Sequence, residues 1–118
     1  MPGPGQSDYD EGWLYIAASR TLGFGQYKIG LSRHPGVRRE ALNAQGYGGV
    51  NDWWMAHYKP VSSMRAVEAK LHECFGPPLP TESGSEVEVF SVPFPKAKHY
   101  LDMFAELFRP QYPVGRPF

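Results

Sequence analysis

The chain has 118 residues and a mass of 13.3 kDa, the size of one ordinary domain. Twelve Lys and Arg balance twelve Asp and Glu, and the resulting pI near 6.9 excludes a histone-like polycationic coat of nucleic acid while leaving a local basic patch open. The single cysteine, Cys74, excludes an internal disulfide and a Cys-based zinc site, and no apolar run approaches the roughly 18 residues of a membrane span.

Residues 1–11 read as a flexible lead of Pro, Gly, Ser and Asp. They lack the basic and apolar blocks of a signal peptide, which together with one cysteine points to a soluble, cytoplasmic protein. Trp13–Ala17 has strand character, Gly23-Phe24-Gly25-Gln26 supplies a turn, and Tyr27–Leu31 reads as a second strand. Two strands this close predict an antiparallel hairpin. Alternation places Trp13 and Tyr15 on one face against Leu14 and Ile16, and Lys28 with Gly30 against Tyr27 and Ile29.

Pro35 suits the first turn of a helix that runs to Asn43, with Val37, Ala41 and Leu42 as its buried stripe, and Gly46-Tyr47-Gly48-Gly49 stops it. Trp53–Tyr58 is a third strand, closed by Pro60. Ser62 or Ser63 caps the next helix, whose stripe is Met64, Val67, Leu71 and Cys74 and whose end is Gly76-Pro77-Pro78. Glu86–Phe90 alternates polar with apolar as a short strand or extended segment. Pro93 and Pro95 open a last helix with Ala97, Leu101, Phe104 and Phe108 in line. Residues 109–118 hold three prolines and read as an irregular tail. The whole is a small α/β or α+β domain over residues 12–108, a mostly antiparallel sheet covered by helices.

Neutral overall charge conceals an asymmetry. Residues 12–39 carry Arg20, Lys28, Arg33, Arg38 and Arg39 with no acidic residue, whereas residues 66–90 carry five glutamates and only Lys70. Such a division suits a metal-assisted phosphodiester site, and equally suits ordinary salt-bridged surfaces. An Arg early in a helix beside a strand Lys forms a cationic notch of phosphate size. Glu68 and His72, four apart, share one face of the second long helix at the edge of its apolar stripe, as groups aimed into a cleft or lying on a half-exposed flank would. Exposed aromatic candidates for a partner surface are Trp53, Trp54 and Tyr58, with one of the tryptophans expected in the core. There is no P-loop, no G-x-S-x-G and no H-E-x-x-H.

Five stretches in order carry a resemblance: Gly12-Trp13-Leu14-Tyr15-Ile16, Tyr27-Lys28-Ile29-Gly30, Pro35 to Asn43, Val67 to Phe75, and Glu88-Val89-Phe90. Together they resemble the GIY-YIG nuclease superfamily, and within it a phage-encoded branch with a Lys-Ile-Gly second motif. The resemblance implies a three-stranded, mostly antiparallel sheet flanked by helices and a metal-dependent endonuclease acting on DNA, with RNA also open. It implies Glu68 as ligand of one divalent metal, Mg²⁺ or Mn²⁺, and Arg38, eight residues after Gly30, on the scissile phosphate. Lys28 stands at the first position of the second motif. In strict register Leu14 occupies the place of the first-motif tyrosine, which leaves Tyr15 one position off and on the other face. Leu42 stands where many members have His, and Glu88 stands in for a late Asn.

The expected catalytic set is therefore Tyr15, Lys28, Arg38, Glu68 and His72, with Lys28, Arg33, Arg38 and Arg39 on nucleic acid. Candidate bases for the attacking water are Tyr15, Tyr27 and Lys28, with His72 as a further proton-transfer group. The alternative is a GIY-YIG-like module that binds nucleic acid or a protein without efficient chemistry. A homodimer or a protein partner would supply target selection; no membrane partner is expected.

Overall fold

The structure is a computed structural model that describes residues 11–75, 89–112 and 114–118, apart from the side chains of Glu68, His72 and Phe75. The expected strand residues Glu86 to Glu88 and the stop at Gly76-Pro77-Pro78 lie outside the described residues.

Strands β1 (Gly12–Ser19) and β2 (Gln26–Ser32) form the expected antiparallel hairpin, with Tyr15 opposite Gly30 and Ala17 opposite Lys28. Strand β3 (Trp53–Val61) pairs antiparallel with the other side of β1, and β4 (Val89–Ser91) pairs antiparallel with β2. The sheet order is β3-β1-β2-β4. It is thus an α+β fold with four strands rather than the three that the resemblance implies. The fourth arises because Val89 and Phe90 find partners in Lys28 and Tyr27.

Pro60 was expected to close β3, yet the strand continues to Val61, with Pro60 opposite Trp13. The position tolerates proline because β3 is the margin of the sheet. A register shift between Ile16 and Ala17, which face His57 and Met55, leaves Ala56 as an extra residue.

Three helices cover the two faces. Helix α1 (Pro35–Gln45) starts on proline and ends at Gly46, whose φ of 65° is the left-handed value glycine adopts without a Cβ penalty. Helix α2 (Met64–Phe75) is capped by Ser63, whose hydroxyl accepts the Ala66 N–H at 3.4 Å. Helix α3 (Phe94–Leu107) follows Pro93. Among the described residues no helix is long and apolar enough to cross a membrane.

Leu14, Ile16, Tyr27 and Ile29 form one core with Val67 and Leu71 of α2 and with Ala97, Leu101 and Phe104 of α3. Met64, Cys74 and Phe108 pack on its margin, so both predicted helix stripes face the sheet. On the opposite face Tyr15 and Ala17 pack with Leu42 of α1, Val50, Trp53, Met55 and Val89.

The stripe of α1 differs from expectation. Val37 is 65 % exposed, and the helix buries Pro35 and Leu42 instead. These two are seven residues apart and share a face, and turning the helix onto that line buries Leu42 in preference to the smaller Ala41.

Candidate functional site

The face of the sheet under α1 collects the polar and aromatic residues of interest. Tyr15 is fully buried and lies over Gly30, its cross-strand partner. Gly30 has no Cβ, and that is what admits the ring: an added Cβ would stand 2.6 Å from the tyrosine hydroxyl oxygen.

Lys28 sits one pleat away on the same face and is only 6 % exposed. Its ammonium is 4.8 Å from the centre of the Tyr47 ring and 5.9 Å from that of Tyr15. The negative faces of the two rings compensate part of the desolvation that a buried ammonium suffers.

Tyr47 is held in place by the segment that follows α1. It lies in a single 3-10 turn (Tyr47–Gly49), and its carbonyl accepts the indole N–H of Trp53 at 2.9 Å. Trp53 in turn is clamped by Asn43 of α1, whose side chain accepts the Trp53 N–H at 2.7 Å and donates to the Trp53 carbonyl at 3.2 Å. A chain of contacts therefore runs from α1 through β3 and the turn to Lys28. Neither Asn43 nor Tyr47 stood out in the sequence as a site residue. The one available signal was an aromatic residue set inside a glycine cluster.

Arg38 is exposed on α1 and Arg39 is partly buried there, its guanidinium 5.9 Å from the ring of Phe118. Arg33 is exposed between β2 and α1. Of the basic residues of the first half, Arg20 thus lies elsewhere, beside Phe24 and Trp54, while Lys28 forms the floor of this face and Arg38 and Arg39 stand on the helix that covers it. Tyr27 does not join them. It is buried on the other face, edge-on to Phe94 at 5.5 Å, which removes it as a base beside Lys28.

Glu68 and His72 are on α2, whose buried residues Val67 and Leu71 pack on the sheet face opposite Tyr15 and Lys28. Their side chains, and the whole of Glu88, lie outside the described residues. Among the described residues no three His, Cys, Asp or Glu side chains converge as a metal site. The resemblance implies Glu68 as ligand of a divalent ion, and Mg²⁺ accepts a protein carboxylate when water and phosphate oxygens complete its shell.

The segment from Val114 to Phe118 has no helix or strand and returns to this face. The Trp13 indole N–H donates to the Gly115 carbonyl at 3.0 Å, and the Gly36 N–H donates to the Pro117 carbonyl at 2.8 Å. The Phe118 ring meets Tyr58 edge-on at 5.1 Å, and Tyr58 meets Trp13 at 5.9 Å.

Of the expected aromatic candidates, Trp53 is core and Trp54 is 50 % exposed. Trp54 borders an open, mostly apolar groove with Phe24, Tyr27 and Phe94, and Arg20 stands at its side. The loop beside this groove is fixed by Asp52. Its carboxylate accepts the hydroxyls of Ser19 and Thr21 and the Thr21 N–H. The Ser19 hydrogen bond is the largest influence on the Asp52 carboxyl, which is held below its usual range although burial opposes this.

No protein-family model matches the chain, and no curated protein or solved structure matches it either.

Proposed function

We propose that the chain is a small metal-dependent endonuclease of GIY-YIG type that hydrolyses phosphodiester bonds in DNA. The observation that carries the reading is the buried Lys28 held between Tyr15 and Tyr47 on the face covered by α1, the helix that bears Arg38 and Arg39. It is Tyr15, not Leu14, that reaches this face, so the residue one place after the strict motif register stands beside Lys28.

In this reading a strand of DNA lies along α1. Arg38 contacts the nonbridging oxygens of the scissile phosphate and offsets the charge that builds on them in the transition state. Hydrolysis forms a bond from a water oxygen to phosphorus and breaks the bond to the leaving oxygen; the proton that the attacking water loses passes to solvent, and the leaving alkoxide takes one from solvent to become the alcohol. Lys28 orients the attacking water from the floor of the site, and the buried Tyr15 positions Lys28. Helix α2, which bears Glu68, packs on the opposite face of the sheet, so the metal-ligand role of Glu68 rests on the resemblance alone; an ion held there would supply stabilisation of a leaving oxygen. His72, one helical turn from Glu68, would orient that carboxylate.

A second reading keeps the nucleic-acid contact without efficient chemistry. Leu42 favours it: where many relatives have His, this chain has a leucine buried in the core of that face.

Nicking of supercoiled plasmid by the purified protein in Mg²⁺ or Mn²⁺ separates the two readings. The nuclease reading expects cutting that is lost in Arg38→Ala and in Glu68→Ala. Salt-sensitive DNA binding without cutting selects the second reading, and cutting undiminished by both substitutions sinks the proposed site.

A further inference from the structure

We infer that residues 115–118 form an internal strap across the nucleic-acid face, which a DNA strand must displace in order to bind. The inference rests on the proposed function. Its basis is where the segment returns and what it covers.

The strap touches three elements that the proposed site needs. Gly115 is held by the Trp13 indole on β1, and Pro117 by the Gly36 N–H in the first turn of α1. Phe118 lies against Tyr58 on β3 and within cation–π distance of Arg39 on α1. Gly36 permits this approach, since a Cβ there would stand 2.9 Å from the Phe118 ring. An aromatic ring and an arginine are the partners that an unstacked nucleobase uses, and the Phe118 ring contacts both at once, Tyr58 at an edge-to-face angle and Arg39 over its own face.

The strap is also built to leave. Phe118 keeps 57 % of its surface exposed, and the segment is held through two hydrogen bonds, one edge contact with Tyr58, one cation–π contact with Arg39 and packing on Gly36. A segment docked most of the time, but not always, lowers apparent affinity by the fraction of molecules in which the face is open.

The test uses the full chain and its Phe118→Ala variant, with a short single-stranded DNA oligonucleotide at low salt. The variant is expected to bind about tenfold more tightly, with a melting temperature close to that of the wild type. The Trp13 indole N–H resonance, assigned by Trp13→Phe, reports docking directly. In the wild type it is expected to move on DNA addition towards its position in Phe118→Ala.

Weaker binding by Phe118→Ala would make the segment part of the binding surface and overturn the strap. So would a Trp13 resonance that stays in place while DNA saturates the wild type; in both cases the nucleic-acid reading survives. If neither chain binds DNA, the nucleic-acid reading falls and takes the strap with it. A version lacking residues 115–118 guards against an effect peculiar to alanine and is expected to match Phe118→Ala.

Discussion

Tyr15 and Gly30 face each other across β1 and β2, and the tyrosine ring occupies the space that a Cβ on Gly30 would take. Gly30→Ala would set a methyl 2.6 Å from the hydroxyl oxygen and 2.8 Å from Cζ, and Tyr15 is fully buried and cannot swing into solvent. The substitution is expected to cost about 1–3 kcal/mol in urea denaturation. Combined with Tyr15→Ala it should cost less than the sum of the two single changes, and strict additivity in that double-mutant cycle would deny the contact.

Lys28 tests whether the buried charge serves the fold or the site. Lys28→Met keeps the length and volume of the side chain and removes the ammonium from between two rings. Stability should change by less than about 1.5 kcal/mol. Plasmid nicking should fall about a hundredfold or more. A variant that is as stable and as active as the wild type would remove Lys28 from the mechanism.

Asn43 joins α1 to β3 through both backbone groups of Trp53. Asn43→Ala strips the Trp53 N–H and carbonyl of these partners in a partly buried place, and should destabilise the protein by about 1–3 kcal/mol. Trp53→Phe loses the indole hydrogen bond to the Tyr47 carbonyl and should free Tyr47 to move from Lys28. Loss of cutting in Trp53→Phe beyond its loss of stability would show that the turn positions Lys28.

Asp102 of α3 bonds the His57 ring at 2.7 Å and the Lys98 ammonium at 2.9 Å. Burial alone would raise its carboxyl, but the contacts with His57 and Lys98 outweigh it and hold the group below its usual value near 3.8. A carboxyl depressed on folding adds stability that is present above its unfolded value and is lost as pH falls through the folded one. Asp102 is over a third exposed, so screening limits the gain to about 1 kcal/mol. Wild type and Asp102→Asn should therefore differ by that amount at pH 7 and converge below about pH 4. Melting temperatures across that range read the effect, and a constant difference would assign it to something other than ionisation.

What was legible in the sequence was what local alternation and spacing encode. The hairpin, the pairing of Trp13 with Tyr15 and of Lys28 with Gly30 within their strands, and the stripes of α2 and α3 all follow from periods of two and 3.6. That Tyr15 shares the face of Lys28, against the expectation that it lies on the other one, is set by the register of β1 on β2, which alternation within one strand does not encode. The rotation of α1 was not legible either, because Val37, Ala41 and Leu42 offer competing stripes and the packing of Leu42 beside Trp53 and Tyr15 decides among them. Tyr47 escaped notice because its role depends on a lysine nineteen residues earlier in the chain. The prolines misled twice. Pro60 reads as a stop unless the strand is known to lie at the margin. The proline-rich end reads as a loose tail unless Trp13 and Gly36 are known to stand where they can hold it.

Pro60 has a consequence for the protein in concentrated solution. The outer side of β3 is an open row of backbone groups to which a strand of another molecule could add. Pro60 withholds one donor from that row, the exposed Lys59 brings a charge to it, and the extra residue at Ala56 bends it. At the opposite margin the described part of β4 is three residues long. Growth of the sheet from molecule to molecule is thereby opposed along β3. The protein is protected from ribbon-like aggregation by the same irregularities that make its third strand hard to read.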